Sequence, residues 1–184
     1  MDNDAMLSLL SSDAKMMGIL RTVRDLELPD CWIGAGFVRN KVWDFLHGYA
    51  EPTPLGDIDV IYYDPSNISE SAEKMLENKL RAAMATEPWS VKNQARMHLP
   101  ASEPPYSSTE HALSLWPETA TAVAVRLGGN GKLELLAPLG TDDLFSLTVR
   151  PTPHWMGKLE AYRKRLARKN WPAKWPKLTV LHVR

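Results

Sequence analysis

Two short stretches carry residue types that could do chemistry together. The first is Asp57-Ile58-Asp59-Val60. In an extended segment side chains alternate, so the two carboxylates share one face while Ile58 and Val60 point into the core. Residues two apart in a strand have Cα atoms roughly 6–7 Å apart. Carboxylates that close repel one another unless a cation sits between them. Mg²⁺ takes oxygen ligands and is typically held by one or two carboxylates plus substrate phosphates. The second stretch is Gly34-Ala35-Gly36, followed by Phe37-Val38-Arg39-Asn40. A glycine turn before a helix lets the backbone approach an anion, and the helix start offers unpaired N–H groups and a positive dipole end to a phosphate. Arg39 and Asn40, in the first helical turn, would add donors. Each stretch also has an ordinary reading by itself. Gly turns between a strand and a helix are mostly only turns, and Asp57 and Asp59 taken singly read as turn and surface carboxylates.

These residues need elements to hold them. Met16, Ile19, Leu20, Val23 and Leu26 recur at helical spacing, so a helix is expected over Asp13–Leu26, ended by Pro29. Cys31–Ile33 reads as a short buried strand entering the Gly turn. Phe37–His47 reads as a helix striped by Val38, Val42, Phe45 and Leu46, with Gly48 as its stop. Pro52, Pro54 and Gly56 mark a loop, and Asp57–Tyr63 has the branched and aromatic content of a strand. Asn67 and Glu70 form a candidate capping box for a helix carrying Ala72, Met75, Leu76, Leu80 and Ala83. Trp89–Leu99 is expected to be a strand, Pro100–Ser108 a loop and Glu110–Leu115 a short helix. Thr119–Leu127 and Lys132–Ala137 flank Gly128-Gly129-Asn130-Gly131, a hairpin signal. Asp142–Leu147 reads as one or two helical turns, with Asp142 as N-cap. After Pro151 and Pro153 a last helix is expected over His154–Lys169. Its stripe of Trp155, Leu159, Tyr162 and Leu166 reads as core rather than as a platform for a base. Leu178–Val183 could form a final strand. Strands and helices mixed in this order indicate an α/β or α+β chain.

The order of the two motifs resembles the nucleotidyltransferase superfamily that includes DNA polymerase β. Its pattern is an apolar residue and two small residues with at least one Gly, then Asp-apolar-Asp/Glu-apolar. Here that is Ile33-Gly34-Ala35-Gly36 and Asp57-Ile58-Asp59-Val60. Further stretches resemble one bacterial family of nucleotidyltransferase-like proteins. They are Gly34 to Asn40 with Trp43 and Leu46-His47-Gly48, Lys92 to His98, Trp116 to Ala120, and Asp143-Leu144-Phe145. The resemblance extends over about residues 13–181. It implies a mixed β-sheet flanked by helices, as a single nucleotidyltransferase-like domain over 1–184 with a basic helical extension at about 150–184. It also implies transfer of a nucleoside monophosphate from an NTP to an acceptor, with release of pyrophosphate. Asp57 and Asp59 would bind Mg²⁺ or Mn²⁺ and serve catalysis. Gly34, Ala35, Gly36 and Arg39 would hold the triphosphate, with Asn40, Asn93 and Arg96 as further nucleotide-binding candidates. Such transfer relies mainly on positioning the phosphates and neutralising developing charge, which paired metals can do.

The superfamily usually places a third carboxylate on a neighbouring strand. Here that segment reads Val91-Lys92-Asn93-Gln94-Ala95-Arg96, with no acid. Asn93 could ligate a metal through its amide oxygen but cannot act as a base. Glu134, within Leu133-Glu134-Leu135, is the best later candidate for the third catalytic acid, although a solvent-facing Glu134 fits the same alternation. Without a third acid, the alternative is a catalytically weak or inactive nucleotide-binding protein.

Composition sets the limits. The 184 residues are 44% hydrophobic and 24% charged, which suits a buried core and not disorder. No apolar run approaches the roughly 18 residues of a membrane span. Met1–Leu10 lacks the basic start and apolar stretch of a secretory signal. Cys31 is the only cysteine, which excludes an intrachain disulfide and a Cys-rich zinc module, and a reducing cytoplasm is the expected compartment. A formal net charge of zero argues against a uniformly basic nucleic-acid surface. That zero is uneven: Arg150–Arg184 holds ten basic residues and one acid, about +9, against about −9 before it. Lys158, Arg163, Lys164, Arg165, Arg168 and Lys169 could serve RNA, or lie solvated across an acidic body. His47 and His98 lack metal-ligand spacing with other ligand residues, and Tyr106 on its Pro-rich loop could border a pocket. The acceptor (small molecule, protein or RNA) and the oligomeric state stay open.

Overall fold

A computed structural model describes residues 1–181. The chain opens with two helices, α1 (Asn3–Ser11) and α2 (Ala14–Arg24). Each starts at an Asp whose carboxylate accepts from backbone N–H groups of the first turn: Asp2 from Ala5, and Asp13 from Lys15 and Met16. Then follow β1 (Trp32–Gly34), α3 (Gly36–His47), β2 (Ile58–Tyr62), α4 (Glu70–Ala83), β3 (Trp89–Asn93), α5 (Gln94–Ala101) and α6 (Thr109–Ser114). A 3-10 turn at Thr119–Thr121 leads to the hairpin of β4 (Ala124–Leu127) and β5 (Leu133–Leu136). The rest is α7 (Asp142–Phe145), β6 (Thr148–Val149), a 3-10 segment (Pro153–Lys158), α8 (Leu159–Lys169), α9 (Trp171–Lys174) and β7 (Thr179–Val180).

Five strands form one mixed sheet in the order β3-β2-β1-β4-β5. Within this sheet β2 and β3 are the parallel pair among the described residues, and the crossover that parallel neighbours require is supplied by α4; β6 and β7 pair in parallel as a separate two-stranded sheet. Gly34 of β1 stands opposite both Asp59 of β2 and Ala124 of β4. Ile33 is opposite Val60 and Val125. Ile33, Ile58, Val60, Val91 and Val125 therefore look to one face, where helical residues such as Ile19, Leu20, Phe37, Val38, Val42 and Leu80 complete the main core. The opposite face carries a smaller cluster of Trp32, Ile61, Leu113, Ala122 and Ala124, with Trp116 against it. The mixed sheet flanked by helices is the expected fold class.

The C-terminal segment joins the main core through tryptophans. Trp171 and Trp175 meet Trp43 edge-on at centroid distances of 5.7 and 5.2 Å. The Trp175 indole donates to Asp44 Oδ1 at 2.7 Å, and the Trp43 indole to the Leu144 carbonyl at 3.2 Å.

Several boundaries differ from the sequence expectation. The strand expected over Trp89–Leu99 stops at Asn93, whose side chain accepts from the Ala95 N–H and starts α5. Arg96 is thus helical, and Pro100 sits inside the last turn of α5. The N-cap of α4 is Ser69, whose hydroxyl accepts from the Ala72 N–H, while Asn67 accepts from Ser69 N–H one step earlier. Asp142 is the first residue of α7 and Thr141 precedes it as N-cap. Thr119–Thr121 forms the 3-10 turn and only Ala124–Leu127 is extended. The helix expected from His154 is a 3-10 segment until Lys158, where Gly157 lowers helical propensity. The final strand covers Thr179–Val180; His182 and Val183 of the expected range lie outside the described residues.

Candidate active site

The turn between β1 and α3 is shaped by two constraints. Trp116 presses on Gly34: a Cβ built there would lie 3.1 Å from Trp116 Cη2. Ala35 then takes φ +49° and ψ −118°, while its N–H donates to the Val123 carbonyl at 3.0 Å. A non-Gly residue in the left-handed region costs about 1–3 kcal/mol. The strain sits where α3 begins, facing a cleft of about 400 Å³. Ala35, Gly36, Arg39, Asp57 and Asp59 all line that cleft.

Asp57 is exposed and lies just before β2; Asp59, on the strand, is half-buried opposite Gly34. Burial first, and then the negative charge of Asp57, push the Asp59 carboxyl up to about 6. The charges of Lys169 and Arg39 and a hydrogen bond with Ser90 oppose that rise. Asp57 and Asp59 present an all-oxygen donor set whose mutual repulsion a cation would relieve. No group of three or more His, Cys, Asp and Glu gathers to hold a metal among the described residues. A cation between Asp57 and Asp59 would therefore draw its other ligands from substrate oxygens and water.

Arg39 is the buried cation of the site, only 8% exposed. Its guanidinium lies 4.5 Å from the Trp171 ring centroid and 5.2 Å from that of Trp43. Nη2 donates to Asn40 Oδ1 at 2.8 Å, but the buried Nε has no hydrogen-bond partner among the described residues. Burial pulls this guanidinium down to about 10, against the charges of Glu118, Asp57 and Asp59. A buried cation with an unbonded N–H is a place where an anion gains most.

Helix α8 supplies two more cations, Arg165 and Lys169, one turn apart. Arg165 is aimed by Glu118, which is 0% exposed: Nε donates to Oε1 at 2.6 Å and Nη2 to Oε2 at 3.2 Å. The Thr121 hydroxyl donates to the same carboxylate at 3.0 Å. Burial and the Arg165 charge hold the Lys169 ammonium below its usual range, with Asp57 opposing.

The other expected site residues stand elsewhere. Asn40 lies behind Arg39 as its acceptor. Asn93 is fully buried and committed: its amide donates to the carbonyls of Asp64 and Asn67 and accepts from the N–H groups of Asp64 and Ala95. Arg96 forms a fork with Glu73, at 3.1 Å through Nε and 2.7 Å through Nη2. Glu134 accepts from Arg126 Nε at 2.7 Å, and that guanidinium stacks 4.1 Å from the Trp32 ring centroid. The alternation around Glu134 did predict its face, which is that of Asp59. Its strand, however, is three places from β2, roughly 14–15 Å across the sheet. The cleft therefore holds two acids and not three among the described residues. The sequence put Arg165 and Lys169 on a basic face and Trp155 in a core stripe, and assigned neither them nor Trp116 to this cleft. The i, i+4 spacing of Arg165 and Lys169 beside buried Tyr162 was the available signal.

A family model described as nucleotidyltransferase matches residues 21–180. A solved structure said to reveal a CCA-adding enzyme head domain is 37% identical, with a TM-score of 0.88 over 99% of this chain and 97% of that one. The Thermotoga maritima CCA-adding enzyme complexed with tRNA is 15% identical, with a TM-score of 0.59 over 98% of this chain and 42% of that one. A CCA-adding enzyme in complex with CTP is 14% identical, with a TM-score of 0.60 over 98% and 43%. The chain thus spans about two-fifths of these last two enzymes, and at such identity the likeness is one of fold. No curated protein matches the sequence.

Proposed function

The chain belongs to the nucleotidyltransferase family, and on that premise we propose that it moves a nucleoside monophosphate from an NTP to an acceptor with release of pyrophosphate. The observation that carries this reading is one cleft where Asp57 and Asp59 meet Arg39, Arg165 and Lys169, with the buried Arg39 Nε left unbonded. Arg39 would bind a phosphate oxygen beside the start of α3, whose dipole end favours the same charge. Arg165, held in place by Glu118, and Lys169 would take the remaining phosphate charge. Mg²⁺ or Mn²⁺ held by Asp57 and Asp59 would polarise the reacting phosphoryl group and neutralise the leaving group. Everything else asked of the chain is positioning and electrostatic stabilisation, which suits this class of reaction.

Incubation with labelled NTP, Mg²⁺ or Mn²⁺ and candidate acceptors should release pyrophosphate, and Asp57→Asn and Asp59→Asn should each abolish it. Release that survives both substitutions sinks the assignment. An RNA end is one acceptor class to include, since a structural relative is complexed with tRNA. Arg163, Lys164 and Arg168 on the exposed side of α8 suit such a polyanion. Small molecules and protein side chains are the other classes. A cytoplasmic location, where NTPs are abundant, suits this reading.

A second reading rests on the missing third acid. Asp57 and Asp59 are the only carboxylates of described residues lining the cleft, so a nucleotide-binding protein without turnover is the alternative. It predicts metal-enhanced NTP binding by calorimetry with no pyrophosphate released for any acceptor. Turnover with any acceptor removes it.

A further inference from the structure

The cleft has a second end, built of rings. Trp116 covers Gly34, and the point 3.1 Å from its Cη2 is also 3.5 Å from Ile61 Cδ1. Ile61 follows Asp59 on the same strand face, about 7 Å along. The rings therefore begin one side-chain step from the carboxylates, on the side away from Asp57. Trp155, from the 3-10 segment before α8, and Tyr106, from the segment between α5 and α6, line the same cleft.

These walls are held firmly. The Trp155 indole donates to the Leu115 carbonyl at 3.0 Å. The Tyr106 carbonyl accepts from the Tyr63 hydroxyl at 2.7 Å. The two segments are clasped where Glu103 meets Lys158 Nζ at 2.5 Å and His154 Nε2 at 2.9 Å. Trp116 and Trp155 nevertheless stay only half-buried, so ring surface remains open to the cleft.

Polar groups at this end are largely committed. The Trp155 N–H is used, the Gln94 amide donates to the Lys92 carbonyl at 3.2 Å, and the Thr121 hydroxyl donates to Glu118. What is offered is mainly faces, which bind any planar base, rather than donors and acceptors that read one base edge.

We infer that the Trp116–Trp155 end of the cleft is a nucleobase subsite that stacks the base of the NTP and ranks bases by ring area rather than by edge. This rests on the reading of the cleft as an NTP site. It fixes the substrate class further: all four NTPs bind, purines ahead of pyrimidines, because the larger ring system covers more indole.

Calorimetry with Mg²⁺ tests it, comparing ATP, GTP, CTP and UTP with inorganic tripolyphosphate. Stacking of one base predicts NTPs on the order of ten- to a hundredfold tighter than tripolyphosphate, with ATP and GTP within a few-fold of each other. Trp155→Ala should bring the NTPs most of the way to the tripolyphosphate value while leaving tripolyphosphate binding unchanged. Trp155→Phe should restore most of the difference. Trp116→Phe, which keeps the packing against Ile61, should cost purines more than pyrimidines. Tripolyphosphate binding as tightly as ATP overturns the base subsite and spares the phosphate site. A more than tenfold preference for one purine overturns selection by ring area. Failure of tripolyphosphate and NTPs alike to bind overturns both.

Discussion

Arg39 occupies a position where a guanidinium is costly to bury: it lies in the corner between the edge-on rings of Trp43 and Trp171, is linked to Asn40, and is left with an unbonded Nε. Hydrogen bonds from a charged donor are worth about 1.5–3 kcal/mol. Arg39→Gln should therefore weaken tripolyphosphate binding by roughly ten- to a hundredfold, measured by calorimetry. Unchanged affinity would remove Arg39 from the phosphate site. Ala35 tells a related story in the backbone. Its φ of +49° is one that glycine adopts without strain. Ala35→Gly should raise stability by about 1 kcal/mol, the relief of strain outweighing glycine's added unfolded-state entropy. A lower melting temperature in that variant would show that the turn is not strained. Cys31 makes a third case. Burial and the Asp30 charge push its thiol up to about 12. A group raised that far stays protonated through neutral pH, so iodoacetamide should label native protein at pH 8 far more slowly than urea-unfolded protein. Equal labelling rates would contradict the burial.

The elements around the site were legible where the signal is local. The Gly turn, the apolar stripe of α3 and the alternation of β2 specify themselves within a dozen residues; Asp57 falls just before the strand expected to start with it, and both it and Asp59 line the cleft. Long-range placement was not legible. Alternation gives Glu134 its face, but only strand order says that it is three strands from Asp59. The end of β3 depends on Asn93 reaching residues 64 and 67 in another loop, a link no local pattern contains. Caps give a test at this scale. Asp13 caps α2 and pairs with Lys41 Nζ at 2.7 Å. Burial raises its carboxyl, but the Lys41 hydrogen bond and the Met16 and Lys15 N–H groups outweigh that, and the net shift is downward. A carboxyl depressed in the folded state stabilises above its unfolded value of about 3.8, and that stability is lost as pH falls through the folded value. Asp13→Ala should cost about 1 kcal/mol at pH 7, and its difference from wild type should shrink towards pH 3. A difference that is constant from pH 7 to pH 3 would sink this account.

At the scale of the whole molecule, the uneven charge found in the sequence becomes a spatial arrangement. Lys158, Arg165 and Arg150 of the basic segment pair with Glu103, Glu118 and Asp143 of the acidic body, and Lys169 faces Asp57 across the cleft. We propose that the C-terminal segment and the sheet unfold as one domain. Trp175→Ala, which empties a site against Trp43 and removes one of the hydrogen bonds to Asp44, should cost about 3–5 kcal/mol and lower a single melting transition seen equally in far- and near-UV circular dichroism. Two separated transitions would divide the chain instead. The meeting of Trp43, Arg39 and Trp171 also orders events in time. Trp43 and Arg39 leave the ribosome long before Trp171, so a nascent chain has the acidic pair but lacks the ring that closes over its guanidinium and both α8 cations. Chains stalled with residue 150 outside the exit tunnel should not retain nucleotide, whereas those stalled with residue 181 outside it should. Retention by the shorter chain would contradict that order. In that order the acidic pair is made well before the helix and ring that complete the cleft around it.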